Sequence, residues 1–150
     1  MAETTWPRPV AAWTLCILAI APFPVLALIY RYWAHGHEAG MILALMSYSA
    51  VVLSFLGGSR WGREITLPRP RWGVLIPSMA TMFIAWGLRV GDDYVPLTWQ
   101  LGGFIAAFLA IWLWDAVSPD LPGWYPRLRT ALTAGACVSL AFALGKAWRG

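Results

Sequence analysis

Apolar residues along this chain come in five blocks of about twenty residues each, close to one bilayer-spanning helix apiece. They are Val10–Tyr30, Gly40–Gly62, Trp72–Val90, Pro96–Val117 and Leu128–Trp148. Short connections bearing proline, arginine and other polar residues separate them. A helix of about twenty residues spans about 30 Å, the thickness of a hydrocarbon core. The pattern predicts an all-α polytopic membrane protein, a bundle of five transmembrane helices forming a single domain over residues 1–150. The first block is longer than the about 7–15 residues of a signal-peptide core, and only Arg8 and the amino terminus precede it as positive charge. It reads as a retained helix, with a kink expected near Pro22 and Pro24. Proline inside a membrane helix is tolerated where neighbouring groups satisfy the freed carbonyl.

Composition agrees with the pattern. Hydrophobic residues make up 59% of the chain and charged residues 12%, and the mean hydropathy is +0.61. A soluble domain would carry about twice that charged fraction. Five crossings place Arg8, Arg60, Arg63, Arg69, Arg71, Arg127 and Arg129 on one side, and Arg31, Arg89, Lys146 and Arg149 on the other. The excess predicts a cytoplasmic amino terminus in the inner (plasma) membrane of a bacterium. The net charge of +4 needs no nucleic acid, because arginines beside an anionic leaflet give the same balance.

The eleven tryptophans raise the idea of a ligand cage. Their positions argue for an aromatic belt instead. Trp6, Trp13, Trp61, Trp72, Trp112, Trp114 and Trp124 cluster near one boundary, and Trp33, Trp86, Trp99 and Trp148 near the other. An amphipathic indole prefers that depth.

In the second block Ala50, Ser54, Gly58 and Gly62 recur every four residues, with Gly57 beside them. A stripe of small side chains lets another helix approach closely, and close packing drives association within lipid. The stripe is read as a seam within the monomer, with a homo-oligomer interface or a small-residue path as alternatives. Arg60 follows it, about one turn from the helix end. A guanidinium there must snorkel or meet an anion. Asp115 ends the fourth block on the same side, so an Arg60–Asp115 pair is expected. The sharper alternative groups Arg60, Arg127 and Arg129, beside Trp61 and Tyr125, into a cluster for phosphate or carboxylate, including lipid headgroups.

Two segments carry a family resemblance. Ser54 to Gly62, SFLGGSRWG, preceded by Tyr48, resembles the signature of small bacterial and mitochondrial membrane proteins grouped as the domain of unknown function 3429 family. Pro122 to Thr133, PGWYPRLRTALT, is similar to that family's entry into its last helix, and Asp115 is in keeping with it. The resemblance implies a small helical membrane protein and no established reaction.

Other chemistry is sparse. His35-Gly36-His37-Glu38 offers metal-binding atoms in one loop, with Asp92 and Asp93 in the other loop on that side. A metal site needs about four ligands in a set geometry, so none is assigned. Cys16 and Cys137 lack CxxC spacing and read as apolar packing groups, without a disulfide. Gln100, near a helix start, is expected to hydrogen-bond a neighbouring helix. Leu56-Gly57-Gly58 and Leu101-Gly102-Gly103 read as packing glycines. No Ser–His–Asp set, HExxH or phosphate-binding glycine loop occurs, so neither an enzyme nor a cofactor is expected. The leading expectation is a structural, assembly or lipid-binding role with membrane lipids and a membrane-protein partner. The alternative is a small transporter or carrier of an anionic or amphipathic molecule.

Overall fold

The computed structural model describes residues 9–33, 35–91, 94–118 and 121–149. Trp6, Arg8, Asp92 and Asp93 lie outside the described residues. Among those described, regular structure is entirely helical: α1 (Val10–Ile20), α2 (Pro22–Tyr32), α3 (Glu38–Glu64), α4 (Trp72–Val90), α5 (Leu97–Ala116) and α6 (Tyr125–Ala147). Five helices are long and apolar enough to cross a membrane, with α1 and α2 together forming the first, Val10–Tyr32.

The break between α1 and α2 falls where the prolines require it. Pro22 and Pro24 have no N–H to donate one turn back. The main-chain bonds on either side of the break both involve Ala21: its N–H donates to Ile17 at 3.1 Å, and its carbonyl accepts from Val25 N–H at a stretched 3.5 Å. Ala21 keeps right-handed helical angles, φ −53° and ψ −40°, so the chain continues in one direction. Tyr48 of α3 supplies what the break removes: its hydroxyl donates to the Ala19 carbonyl at 2.8 Å.

The other spans match their apolar blocks and extend slightly past them. Helix α3 runs on to Arg63 and Glu64, and α6 begins at Tyr125 rather than Leu128. Arg63, exposed, prolongs α3 toward the headgroup zone, and Pro126 suits the first turn of α6 because its missing N–H is not needed there.

Helix α3 packs most extensively on α4, and α5 on α6. Helix α2 lies against both α3 and α6, and α3 meets α5, while α4 sits outside on α3 and α5. The interior is filled by Phe23, Leu45, Leu53, Leu101, Phe104, Phe108 and Leu140, all fully buried. The Phe23 ring stands edge-on to Tyr48 at 5.1 Å and to Phe108 at 5.9 Å, joining α2, α3 and α5. Lipid is as apolar as leucine, so this contact and fit, rather than water exclusion, holds the helices together.

The small-residue seam has a different phase from the one expected. Gly57 is buried: a Cβ there would meet the Ser78 carbonyl at 2.6 Å and the Thr81 Cβ at 2.8 Å on α4. Gly58 and Gly62 are exposed and face open space. Ala50 and Ser54 are half-buried at the edge of the contact. The packed stripe of α3 runs Ser49, Leu53, Gly57, one residue earlier and therefore about 100° around the helix. Of the second glycine pair, Gly103 meets Leu88 of α4 and Gly102 faces open space. Helix α4 thus rests on one glycine of each triplet.

Candidate functional site

Three core stripes end in charge. On α5 the buried residues Leu101, Phe104, Phe108 and Ile111 recur at alternating three- and four-residue steps, and the next step is Asp115. On α3 the same progression through Leu53 and Leu56 leads to Arg60. On α6, Arg129 precedes Thr133, Ala136, Leu140 and Ala143 in the same phase. The helices converge at one end of the bundle, so the three side chains meet where the apolar packing stops.

Asp115 is fully buried and each of its carboxylate oxygens takes one guanidinium. Arg60 Nε donates to Oδ1 at 2.5 Å. Arg129 Nε donates to Oδ2, with Arg129 Nη2 also in ion-pair contact. Arg60 is further held by Nη2, which donates to the Trp114 carbonyl at 3.1 Å and to Ser118 Oγ at 2.7 Å. Its guanidinium lies over the Trp114 ring at 3.9 Å. The Arg60 side chain is 9% exposed and that of Arg129 2%. The group therefore joins α3, α5 and α6 with two positive charges against one negative, nearly out of solvent. Among the described residues Arg129 Nη1, which is buried, has no hydrogen-bond acceptor, and Nη2 touches Asp115 out of hydrogen-bond alignment.

The expected Arg60–Asp115 pair forms, and Arg129 joins it. Arg127 does not: it is exposed, two residues and about 200° around α6 from Arg129. Tyr125 flanks the group, its ring 5.7 Å from the Arg129 guanidinium carbon. The ring that stacks on Arg60 is Trp114 rather than Trp61, which is half-buried nearby in sequence. Trp114 and Ser118 lie one residue before and three after Asp115, in reach of whatever binds it, and that adjacency was the available signal.

A second ion pair at this end was absent from the sequence reading. Glu64, buried at the close of α3, accepts from the Arg71 backbone N–H at 2.7 Å, from Nε at 2.9 Å and from Nη2 at 3.1 Å. Arg71 immediately precedes α4, so the two residues close the connection between the helices. That loop encloses an open cleft of about 650 Å³ lined by Arg63, Glu64, Leu67, Pro68, Arg69 and Arg71.

At the opposite end α2 and α6 exchange contacts. Arg31 Nη1 donates to the Phe142 carbonyl at 3.4 Å and Lys146 Nζ to the Tyr30 carbonyl at 2.7 Å. Lys146 also lies 3.8 Å from Glu38. Gln100 is buried but bonds the Val95 carbonyl, just before its own helix, at 3.2 Å instead of another helix. His35 and His37 are exposed, and no group of three or more metal-binding side chains gathers among the described residues. Cys16 and Cys137 are both free thiols. None of the described tryptophans is buried, in keeping with a belt.

These features define a small multi-pass membrane protein whose apolar bundle is closed at one end by a shared carboxylate. A family model described as "Protein of unknown function (DUF3429)" matches residues 8–145, and the chain belongs to that family. It is also similar to Transmembrane protein 69 of Xenopus tropicalis, 34% identical over 102 residues. That match covers 65% of this chain and 39% of the relative, so the matched stretch spans well under half of that protein's length. No solved structure matches it.

Proposed function

We propose that the protein has a non-catalytic structural or assembly role, engaging anionic lipid headgroups or a membrane-protein partner at the Arg60 end. The observation that carries this reading is where its polar chemistry lies. The mid-section is packed with Phe23, Phe104, Phe108 and large aliphatic side chains, while charged groups gather at the two ends. A carrier needs a polar way station near the bilayer centre. Here three buried hydroxyls of α3 and α4 are turned back on their own helices, Ser49 to Leu45, Ser78 to Val74 and Thr81 to Pro77.

At the Arg60 end, Arg63, Arg69 and Arg127 are exposed around the buried trio. Each cation near an anionic leaflet contributes about 1 kcal/mol of attraction. The same excess of arginine favours a cytoplasmic placement of that end, in a bacterial inner membrane. Native mass spectrometry of the purified protein tests the reading. Wild type should retain acidic phospholipid or a protein partner, and Arg63→Gln/Arg127→Gln should lose much of it. A monomer carrying a small non-lipid ligand, unaffected by that double substitution, would favour a carrier instead.

A further inference from the structure

The far end of the bundle holds a second concentration of cations, in a cleft the proposal above does not use. Arg31, Tyr32, Lys146 and Arg149 line about 380 Å³ between the ends of α2 and α6. The two inner cations are fixed from below. Arg31 lies with its guanidinium carbon 4.5 Å from the Phe142 ring and 5.9 Å from the Tyr32 ring, and gives Nη1 to the Phe142 carbonyl. Lys146 sits 4.5 Å from the Tyr30 ring and gives one N–H to the Tyr30 carbonyl. The last turns of α2 and α6 both end here, and the negative ends of their dipoles favour cations at this spot.

The anchoring leaves capacity unspent. A guanidinium carries five N–H donors and an ammonium three, and the contacts above engage one of each. The carboxylate facing this group is Glu38, 3.8 Å from Lys146 and itself 44% exposed. Among the described residues, three cations against one partly hydrated carboxylate form a preorganised, net-positive recess. Its depth is that of the headgroups: Trp33 and Trp148, exposed by 73% and 79%, end the same two helices.

We infer that this recess binds a phosphate group, that of an acidic phospholipid in the leaflet opposite Arg60. Arg31 supplies a fixed guanidinium edge for the phosphate oxygens, Lys146 a second positive charge, and Arg149 a third at the rim. Tyr32, 54% exposed, offers its ring to the glycerol and upper acyl region. A free phosphate would meet the same donors, so the experiment separates the two sources.

The test uses the full chain in detergent, with phosphatidylglycerol, phosphatidylcholine and inorganic phosphate as probes, read by native mass spectrometry. Phosphatidylglycerol should be retained over phosphatidylcholine, and Arg149→Gln should weaken its retention about five-fold, with Arg31→Gln/Arg149→Gln weakening it further. Arg149 makes no side-chain contact that holds the bundle among the described residues, so its variant stays informative if loss of Arg31 impairs folding. In the Arg63→Gln/Arg127→Gln background, which lowers lipid retention at the other end, the phosphatidylglycerol that remains should still be held over phosphatidylcholine and should still weaken with Arg149→Gln. If inorganic phosphate displaces the lipid at equal concentration, the recess is a site for free phosphate. Equal retention of both lipids, or full retention of phosphatidylglycerol in folded Arg149→Gln and in the double variant, would overturn the inference.

Discussion

The hydroxyl of Tyr48 donates to the carbonyl of Ala19 at 2.8 Å, within the turn that Pro22 and Pro24 interrupt. A helix on one side of the bundle thereby repairs a defect in another. Tyr48→Phe keeps the ring and its edge-on contact with Phe23 but strips the carbonyl of its donor. The variant should lose about 1 kcal/mol of stability, the scale of one hydrogen bond in a membrane interior. Reversible unfolding in mixed micelles measures it, and Tyr48→Phe with unchanged stability would show the carbonyl to be satisfied otherwise.

Adjacent glycines on α3 should behave oppositely. A methyl group at position 57 would meet backbone, the Ser78 carbonyl at 2.6 Å, and cannot be accommodated by rotating a side chain. Gly57→Ala should therefore cost about 1–3 kcal/mol by forcing α3 and α4 apart. Gly58→Ala meets nothing within 4 Å and should be neutral or slightly stabilising, since alanine favours the helix. Paired unfolding curves give the comparison directly.

Loss of the Glu64–Arg71 contact should loosen the connection between α3 and α4. Glu64→Gln removes the charge that accepts from three Arg71 donors while keeping the side chain's size. Trypsin should then cut after Arg71 several-fold faster, while the rate after Arg127, at the same end but on α6, stays unchanged. Limited proteolysis with mass readout reports both rates in one experiment.

The five spans were legible because an uninterrupted apolar run of bilayer length has few other uses. Arg60 and Asp115 were legible as partners because alternating crossings bring both to one boundary. Rotation about each helix axis was harder to read. In water, polarity marks the outward face, but lipid accepts glycine, alanine and leucine as readily as a neighbouring helix does. Gly58 and Gly62 therefore look like seam residues although Gly57 alone makes the close approach. Charged residues escape that ambiguity, and the spacing of Arg129 with Thr133, Ala136, Leu140 and Ala143 separates it from Arg127. The Tyr48–Ala19 bond and the Glu64–Arg71 closure depend on distances between elements that no local pattern encodes.

Asp115 should matter more than either arginine that it holds. Without Arg60 or without Arg129, a neutral ion pair remains, whereas without Asp115 two guanidiniums face each other, each less than a tenth exposed. Breaking a buried charge arrangement this way costs about 3–5 kcal/mol. Unfolding free energies of Asp115→Asn, Arg60→Gln and the Asp115→Asn/Arg60→Gln double variant, measured in the same micelles, test this most directly. A shared carboxylate predicts the largest loss in Asp115→Asn and partial recovery when Arg60 is also removed. Stability of Asp115→Asn within about 0.5 kcal/mol of wild type, the scatter of an ordinary surface substitution, would contradict it.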